Sequence, residues 1–232
     1  PGNTEQPPEF EAVELDKPEP KEHDLLVEVK AVSVNPTDYK TRDAKKQDDD
    51  SLTIVGRDVA GVVVAVGNEC SLFAVGDEVF YAGTNVRAGG HSEFHIVDER
   101  IVGHKPKKLD FAHAAALPLT GVTAMEALFV RLGISKNPQD NEGKNILIIG
   151  AAGGVGSIVT QIANLVGLTV IGTASRQETM EWTEKLGSHF IIDHHEELLP
   201  QLEKVGIAGV DYIFCLTNTD DHMAGMAEAI KP

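Results

Sequence analysis

The sequence predicts an α/β protein built from two domains, a mostly antiparallel β domain followed by a doubly wound parallel sheet. Two observations lead to this division. Short runs with β-strand patterns, separated by glycine and proline, fill the first half, and apolar runs alternate with helical patterns after about residue 115. We therefore place the domains at residues 1–115 and 116–232 and expect the first to resemble a barrel.

Four segments of the first half carry strand patterns. Residues 25–34 alternate between the two faces of a half-buried strand. Residues 59–66 form a valine-rich run that Gly61 interrupts, which is typical of a strand with one close backbone approach. The turn at 76–79 leads into a third strand, and residues 92–97 form a fourth.

The second half predicts a different kind of sheet. Its strand and helix candidates alternate along the chain, and they lie at residues 145–150, 155–166, 168–173, 178–186, 190–192 and 210–216. Strands that are apolar throughout and separated by helices indicate a parallel sheet covered on both faces. A six-stranded doubly wound sheet needs about two more strands than these. We therefore expect the sequence to be truncated at its C-terminus.

Composition excludes several classes of function. The 232 residues include 36 acidic and 20 basic side chains, a formal net charge of −16, which disfavours nucleic-acid or anionic-membrane binding. We find no unbroken apolar run of about 18 residues and no charged leader, so we expect neither a membrane span nor an export signal. Cys70 and Cys215 are the only cysteines, which fits a reducing cytoplasm better than a disulfide framework.

The strongest chemical signal is the segment NILIIGAAGGVGSIVTQIA, in which a strand, a glycine turn and a helix follow one another. Ala151, Gly153 and Gly156 match the G-x-G-x-x-G spacing, with alanine at the first position. Gly153 would let the backbone approach a pyrophosphate, and Gly156 would let the helix pack closely on the strand. The N–H groups of Gly154 and Val155 would then face the phosphates. The alternatives are a turn that binds nothing and a P-loop, which lacks its Gly-Lys-Ser/Thr here.

The residues after the second strand of this half indicate which cofactor binds. Enzymes that use NAD usually carry an acidic residue about 20 positions past the glycines, but here Ser175 and Arg176 end the strand. A guanidinium group suits a 2′-phosphate, so we expect NADPH rather than NADH. Glu178 is explained as the partner of Ser175 in a capping box. The alternative for Arg176 is a solvated residue in the first helical turn.

Several segments together resemble a known family, the medium-chain dehydrogenase/reductase superfamily, in its zinc-free, quinone oxidoreductase-like branch. The matching segments are LLVEVKAVSVNPTDYK, GRDVAGVVVAVG, VGDEV, AAALPLTGVTA and the glycine turn. In detail the chain is similar to the bacterial zinc-type alcohol dehydrogenase-like members. The resemblance implies a GroES-like catalytic domain, a Rossmann NADP-binding domain, an active site in the cleft between them, and a homodimer.

The zinc ligands of the related alcohol dehydrogenases are missing at the matching positions. Asn35 stands where those enzymes have a cysteine, and Arg57 stands where they have the histidine of a Gly-His-Glu motif. Arginine keeps its proton and cannot ligate zinc. Two distant cysteines cannot form the four-cysteine structural site either. We therefore expect no zinc.

Chemistry without a metal favours acceptors that are already activated. A quinone or an α,β-unsaturated carbonyl spreads the developing charge by its own conjugation, so the protein needs only to place the substrate against the nicotinamide and to exclude water. The resemblance accordingly implies NADPH-dependent reduction of quinones or enones. The alternatives are a zinc-dependent alcohol dehydrogenase and a non-enzymatic sensor or structural protein that binds NADPH.

The resemblance also implies roles for individual residues. Asn35 and Asp38 match the loop that faces the nicotinamide, where Asn35 could donate to a substrate oxygen or to the carboxamide; the alternative is an Asx turn before a proline. Lys40 is a candidate to hold a phosphate or donate a proton, although a surface lysine is commoner. Thr120 matches a threonine near the nicotinamide, with a helix N-cap as the alternative. His194 follows the third strand, where relatives often carry a tyrosine against the adenosine phosphate.

Overall fold

The computed structural model describes residues 10–45 and 51–232. The chain divides into two compact units, Pro1–Leu119 and Thr120–Pro232. The first contains the predicted antiparallel sheet and the second contains the predicted parallel sheet, so the α/β fold class is confirmed.

The first unit is built on a five-stranded antiparallel sheet. Its strands are β1 (Asp24–Ser33), β2 (Asp58–Val66), β3 (Glu78–Ala82), β4 (Phe94–Asp98) and β5 (Gly103–His104), in the order β4-β1-β2-β3-β5. All four neighbouring pairs run antiparallel. Gly61 lies opposite Val29, and a Cβ at Gly61 would meet the carbonyl oxygen of Glu28 at 2.3 Å. The close backbone approach predicted for this glycine is therefore present.

One face of this sheet forms the core of the first unit. Its buried members are Leu25, Val27, Val59, Val63, Val79, Tyr81 and Val97. The buried hydroxyl of Tyr81 lies 2.9 Å from Nδ1 of His95, and Nε2 of His95 lies 2.9 Å from the carbonyl oxygen of Ala88. Because a carbonyl only accepts, Nε2 carries the hydrogen and Nδ1 accepts from the tyrosine. Burial also lowers the pKa of His95, which keeps the ring neutral.

Among the residues that the structure describes, two α-helices complete the first unit, α1 (Pro36–Ala44) and α2 (Phe111–Ala115). The sequence interpretation treats the start of α1 as a loop, and this is wrong. Asn35 is the N-cap residue, a proline occupies the first helical turn, and Asp38 at the third position accepts a hydrogen bond from the N–H of Asn35. These are standard signals for a helix start, but the helix carries few apolar residues and so lacks an amphipathic pattern.

The second unit is a four-stranded parallel sheet with helices. Its strands are β6 (Asn145–Ile149), β7 (Thr169–Thr173), β8 (Phe190–Ile192) and β9 (Tyr212–Cys215), in the order β8-β7-β6-β9. Its helices are α4 (Gly154–Leu165), α5 (Gln177–Lys185), α6 (Leu198–Lys204) and α7 (Thr219–Ala229), and α3 (Pro118–Met125) leads into the unit. All four predicted strands are confirmed.

Strand β6 is buried on both faces. Ile146 and Ile148 belong to one hydrophobic cluster, which contains the buried side of α4, and Leu147 and Ile149 belong to a second, which contains α6 residues. All four side chains are fully buried. This explains why the strand is apolar throughout, as strands covered on both sides are.

One helical stretch of the described residues bears on the expectation of no membrane span. Phe111–Arg131, which comprises α2, α3 and a π-helical segment at Glu126–Arg131, is long and apolar enough to qualify by length and composition. Polar residues interrupt this stretch, so it contains no unbroken apolar run. Length and composition alone do not distinguish such a stretch from core helices, and Ala114 and Leu128 in it are buried in hydrophobic clusters.

Candidate functional site

The glycine turn joins the end of β6 to the start of α4. Gly150 has a φ of +86°, a conformation that favours glycine, and its N–H donates to the hydroxyl of Thr173 at 3.0 Å. The N–H of Gly153 donates to the carbonyl of Gly150, and the N–H of Ser157 donates to the carbonyl of Gly153. The bond from Ser157 is the first i→i−4 backbone hydrogen bond of α4. The three N–H groups before it therefore have no acceptor within the helix and are available to an anion. They belong to Gly154, Val155 and Gly156.

Gly153 and Gly156, the second and third positions of the G-x-G-x-x-G spacing, have different surroundings. A Cβ at Gly156 would lie 2.3 Å from the carbonyl oxygen of Gly150 and 2.7 Å from Cα of Ala151, so only glycine fits where the helix meets the strand. A Cβ at Gly153 would meet only the Gly150 oxygen within 4 Å, at 3.4 Å, so this backbone faces open space. The structure therefore provides room beside Gly153, as a bound pyrophosphate requires.

Thr120 lies next to this turn. A Cβ on Gly154 would approach Cγ2 of Thr120 to 3.3 Å. Thr120 lies inside helix α3 rather than at its N-cap. The structure thus brings together two of the residues that the sequence assigns to the cofactor.

Arg176 lies three residues past the end of β7, which ends at Thr173, and the carboxyl ends of parallel strands meet at one edge of a sheet. It is the N-cap residue of α5 and is exposed, and its guanidinium makes no hydrogen bond or ion pair with any other described residue. Its N–H donates to the hydroxyl of Thr179, which donates back to the carbonyl of Arg176. The predicted capping box of Ser175 and Glu178 is therefore wrong, because the helix begins one residue later. Ser175 precedes this N-cap and is half-buried.

A side-chain contact joins α5 to α4. Nε1 of Trp182 donates to the hydroxyl of Ser157 at 2.9 Å. Trp182 is 43% exposed and is the only tryptophan of the chain. It is therefore a fluorescent reporter close to the glycine turn.

His194 follows β8 at the same edge of the sheet. Its Nδ1 is buried and has no hydrogen-bond partner among the described residues. Its ring lies 4.3 Å from that of His195 and 6.0 Å from that of His222. Burial lowers the pKa of His194, both neighbouring histidines lower it further, and Asp193 opposes them. The lowered pKa favours the neutral form of the His194 ring.

In the first unit, Asp38 fixes the start of α1. One carboxylate oxygen accepts from the N–H of Asn35 at 2.7 Å, and the other accepts from the N–H of Gly56 at 3.0 Å. Asn35 and Asp38 are both buried. Lys40 lies exposed on the same helix and makes none of these bonds. The structure therefore joins Asn35 to Asp38 and leaves Lys40 outside the cluster.

A second buried carboxylate, Asp58, completes this cluster. Its Oδ2 accepts from Nδ2 of Asn35 at 2.8 Å, and its Oδ1 accepts from the N–H of Leu119 at 2.7 Å. Burial raises the pKa of Asp58 and the charge of Asp38 adds to this, although the two hydrogen bonds counteract it. Sequence reasoning missed this residue. The available signal was a carboxylate at the first position of an apolar strand.

The donor set at the zinc positions of the related enzymes does not fit zinc. The amide nitrogen of Asn35 is engaged with Asp58, and the guanidinium of Arg57 donates to the carbonyl of Thr84. Within residues 10–45 and 51–232, no three His, Cys, Asp or Glu side chains are grouped as metal ligands.

Comparison with known proteins assigns both units to described families. Residues 21–107 match the alcohol dehydrogenase GroES-like domain, and residues 154–232 match the zinc-binding dehydrogenase family. The two matches together span more than half of the chain. The chain belongs to the medium-chain dehydrogenase/reductase superfamily. Within this superfamily it lies in the quinone oxidoreductase-like branch.

Two curated relatives illustrate the range of this similarity. The chain is 48% identical over 223 residues to a zinc-type alcohol dehydrogenase-like protein of Staphylococcus aureus (strain MSSA476), covering 96% of the chain and 66% of that protein. It is 40% identical over 195 residues to the chloroplastic NADPH-dependent alkenal/one oxidoreductase of Arabidopsis thaliana, covering 80% of the chain and 48% of that protein. The chain thus spans less than two thirds of the length of these superfamily members.

Solved structures give the same assignment. An alcohol dehydrogenase superfamily protein from Novosphingobium aromaticivorans is 33% identical, with a TM-score of 0.82 over 94% of the chain and 65% of that protein. The quinone oxidoreductase of Escherichia coli in complex with NADPH is 26% identical, with a TM-score of 0.80 over 94% of the chain and 65% of that protein. The GroES-like and Rossmann folds expected of the superfamily are therefore confirmed.

Proposed function

We propose that this protein is an NADPH-dependent oxidoreductase that transfers hydride to a quinone or an α,β-unsaturated carbonyl without a catalytic metal. The observation that carries the proposal is Arg176, an exposed arginine whose guanidinium has no partner among the described residues and which follows the strand next to β6. A 2′-phosphate is a doubly charged ligand that such a guanidinium binds through paired hydrogen bonds. The Arabidopsis relative and the Escherichia coli complex, whose names include NADPH, support this choice.

In this proposal the residues of the second unit hold the cofactor. The N–H groups of Gly154, Val155 and Gly156 bind the pyrophosphate at the positive end of α4. Arg176 binds the 2′-phosphate with Ser175 beside it, His194 borders the adenosine, and Thr120 lies toward the nicotinamide. When bound, NADPH supplies the hydride.

The proposed substrate class follows from the donor groups present. Asn35 and Arg57 replace the ligands that would hold a polarising metal, so the acceptor must carry its own activation. Quinones and enones do so through conjugation. The names of the Arabidopsis and Escherichia coli relatives, an alkenal/one oxidoreductase and a quinone oxidoreductase, support this class.

Measuring cofactor preference tests the proposal directly. The dissociation constants of NADPH and NADH are measured by energy transfer from Trp182, the only tryptophan, to the reduced nicotinamide. We expect NADPH to bind more tightly. Arg176→Ala should remove about 1–3 kcal/mol of this preference, roughly a 5- to 150-fold change in the ratio of the constants. NADH binding should change little.

Arg131→Ala is the matched control. Arg131 is an exposed arginine of the same unit, and its guanidinium pairs with Glu126 instead of facing the cofactor. This variant should keep the wild-type preference. Equal affinity for both nucleotides in the wild-type protein, or an unchanged ratio in Arg176→Ala, would refute the assignment of NADPH.

The rival function is zinc-dependent alcohol oxidation, which the zinc-binding dehydrogenase match and the name of the Staphylococcus relative favour. Metal analysis of the purified protein distinguishes the two functions. One zinc per chain would move the assignment to the alcohol dehydrogenase. A third outcome, tight NADPH binding without oxidation by a panel of quinones and enones, would indicate a sensor or structural protein. By similarity to the family we further propose a cytoplasmic homodimer, which light scattering and cell fractionation test.

A further inference from the structure

We propose that Thr173 is a positioning residue for the cofactor, because its buried hydroxyl holds Gly150 so that the glycine turn presents its free N–H groups to the pyrophosphate. This inference rests on the proposed function and names the side chain of the second unit that shapes the pyrophosphate site. Thr173 acts through Gly150 and not by a contact of its own with the nucleotide.

The hydroxyl of Thr173 bonds to the chain at the point where the pairing of β6 with β7 ends. The last paired residues of these strands are Ile148 and Gly172. Two positions past Ile148, the N–H of Gly150 donates to Oγ1 of Thr173 at 3.0 Å. Thr173 is only 1% exposed, so its hydroxyl serves a protein group rather than water. Removing the hydroxyl would leave the Gly150 N–H without this acceptor, and the peptide that enters the turn would lose its fixed orientation.

A chain of hydrogen bonds carries this orientation into the helix. Gly150 has a φ of +86°, and its carbonyl accepts from the N–H of Gly153 at 3.1 Å. The carbonyl of Gly153 accepts in turn from the N–H of Ser157 at 2.8 Å. The bond to Thr173 is therefore the first of a series that leads from β7 to the first turn of α4. A change at Thr173 should reach the three free N–H groups that precede Ser157.

The backbone of Thr173 takes part in a different set of contacts. It pairs with Ile192 of β8, and the N–H of Ala174 donates to the carbonyl of Ile192 at 3.0 Å. These contacts hold the end of β7, from which the chain leads to Arg176, and they do not involve the hydroxyl. The side chain of Thr173 thus supports the pyrophosphate part of the proposed site, whereas its backbone supports the 2′-phosphate part.

The experiment compares NADPH with 2′-AMP, which carries the adenosine 2′-phosphate but lacks the pyrophosphate. NADPH binding is followed by energy transfer from Trp182, and 2′-AMP binding by its displacement of NADPH. Thr173→Val keeps the shape of the side chain and loses the hydroxyl. It should raise the dissociation constant of NADPH about 3- to 10-fold, the range that one hydrogen bond provides. The dissociation constant of 2′-AMP should stay unchanged.

NADH shares the pyrophosphate, so Thr173→Val should weaken NADH binding by the same factor as NADPH binding. The preference for NADPH should therefore stay as in the wild type. This result would differ from that of Arg176→Ala, which should change the preference and leave NADH binding nearly unaltered. The two variants together assign the pyrophosphate and the 2′-phosphate to different side chains.

Two conservative variants test whether the hydroxyl is responsible. Thr173→Ser restores the hydroxyl and should bind NADPH as the wild type does. Thr173→Cys has sulfur in place of that oxygen, and because sulfur is a weak acceptor it should bind NADPH as weakly as Thr173→Val. The serine and cysteine variants keep the inference testable should Thr173→Val fail to fold.

Thr183→Val is the matched control. Thr183 is a fully buried threonine of the same unit, and its hydroxyl donates to the carbonyl of Thr179 within α5 at 2.8 Å. This variant loses a buried hydroxyl that bonds outside the glycine turn, and it should keep the wild-type affinities for NADPH and 2′-AMP.

The outcomes separate this inference from the proposed function. Unchanged NADPH affinity in Thr173→Val, or equal NADPH affinity in the serine and cysteine variants, would overturn the positioning role. Equal weakening of NADPH and 2′-AMP would overturn it as well, because the hydroxyl would then support the whole unit and not the pyrophosphate site. In these cases the wild type still binds NADPH and the proposed function stands. A wild-type protein that does not bind NADPH would overturn the proposed function itself.

Discussion

Replacing Gly156 by alanine should damage the fold at the glycine turn, and the size of the effect follows from the contacts. The new methyl group would lie 2.3 Å from the carbonyl oxygen of Gly150 and 2.7 Å from Cα of Ala151, about 1 Å inside the ordinary contact distance. Both neighbours are backbone atoms and cannot rotate aside. Overpacking of this kind costs about 1–3 kcal/mol, and alanine recovers at most about 1 kcal/mol in helix propensity. We expect a net loss of about 1–2 kcal/mol.

Urea unfolding measures this loss, and nucleotide titration follows its effect on binding. Because α4 must shift away from the turn, we expect Gly156→Ala to bind NADPH at least about tenfold more weakly. Gly121→Ala is the control for stability, because a Cβ there meets nothing within 4 Å and the position is helical. That variant should be as stable as the wild type or up to about 1 kcal/mol more stable.

Gly153→Ala separates binding from stability. Its methyl group would meet only one atom within 4 Å, at 3.4 Å, and the φ of Gly153 is −73°, which alanine also adopts. The free energy of unfolding should therefore fall by about 1 kcal/mol or less, the usual cost of replacing an N-cap glycine by alanine. The methyl group would nevertheless occupy the space proposed for the pyrophosphate, and NADPH affinity should fall about tenfold.

A Gly156→Ala protein that unfolds at the wild-type urea concentration would refute the reasoning from close contact.

Two further predictions concern the first unit. Glu99 is buried; burial raises its pKa, but hydrogen bonds from Leu72, His23 and Ser71 lower it by more, so the folded pKa lies below the ordinary 4.5. The ionised Glu99 carboxylate therefore stabilises the fold above about pH 5, and this contribution is lost as the pH falls through the folded pKa. The difference in unfolding free energy between the wild type and Glu99→Gln should shrink from about pH 6 to about pH 3. A difference that stays constant with pH would contradict this. Tyr81→Phe leaves Nδ1 of buried His95 without its donor and should cost about 1–2 kcal/mol in urea unfolding, whereas an unchanged midpoint would show that another group satisfies the ring.

The parallel sheet could be predicted from the sequence because burial on both faces makes each strand apolar throughout. Ile146 to Ile149 alternate between two cores, so no polar residue interrupts them. The glycine turn could also be predicted, because the steric contacts that require glycine there act between residues close together in the chain. The start of α5 was misplaced by one residue because Ser175 and Arg176 compete for the N-cap, and local sequence does not decide between them.

The cluster around Asn35 could be predicted only in part. Asn35 and Asp38 are three residues apart, and their contact is local. The bonds of Asp58 to Asn35 and Leu119 cross 23 and 61 positions of the chain. Only the folded sheet brings these groups together, so spacing along the sequence carries no trace of them. Helix α1 was overlooked because its stability comes from the N-terminal cap rather than from an apolar face.

Among the described residues, short border strands limit unwanted association of the first sheet. Its outermost strands, β4 and β5, have five and two residues, while its central strands β1 and β2 have ten and nine. A short border strand offers few unpaired backbone groups on which a foreign strand could dock. The long central strands are thus paired on both sides by neighbouring strands, which limits strand-to-strand aggregation at the borders of the sheet.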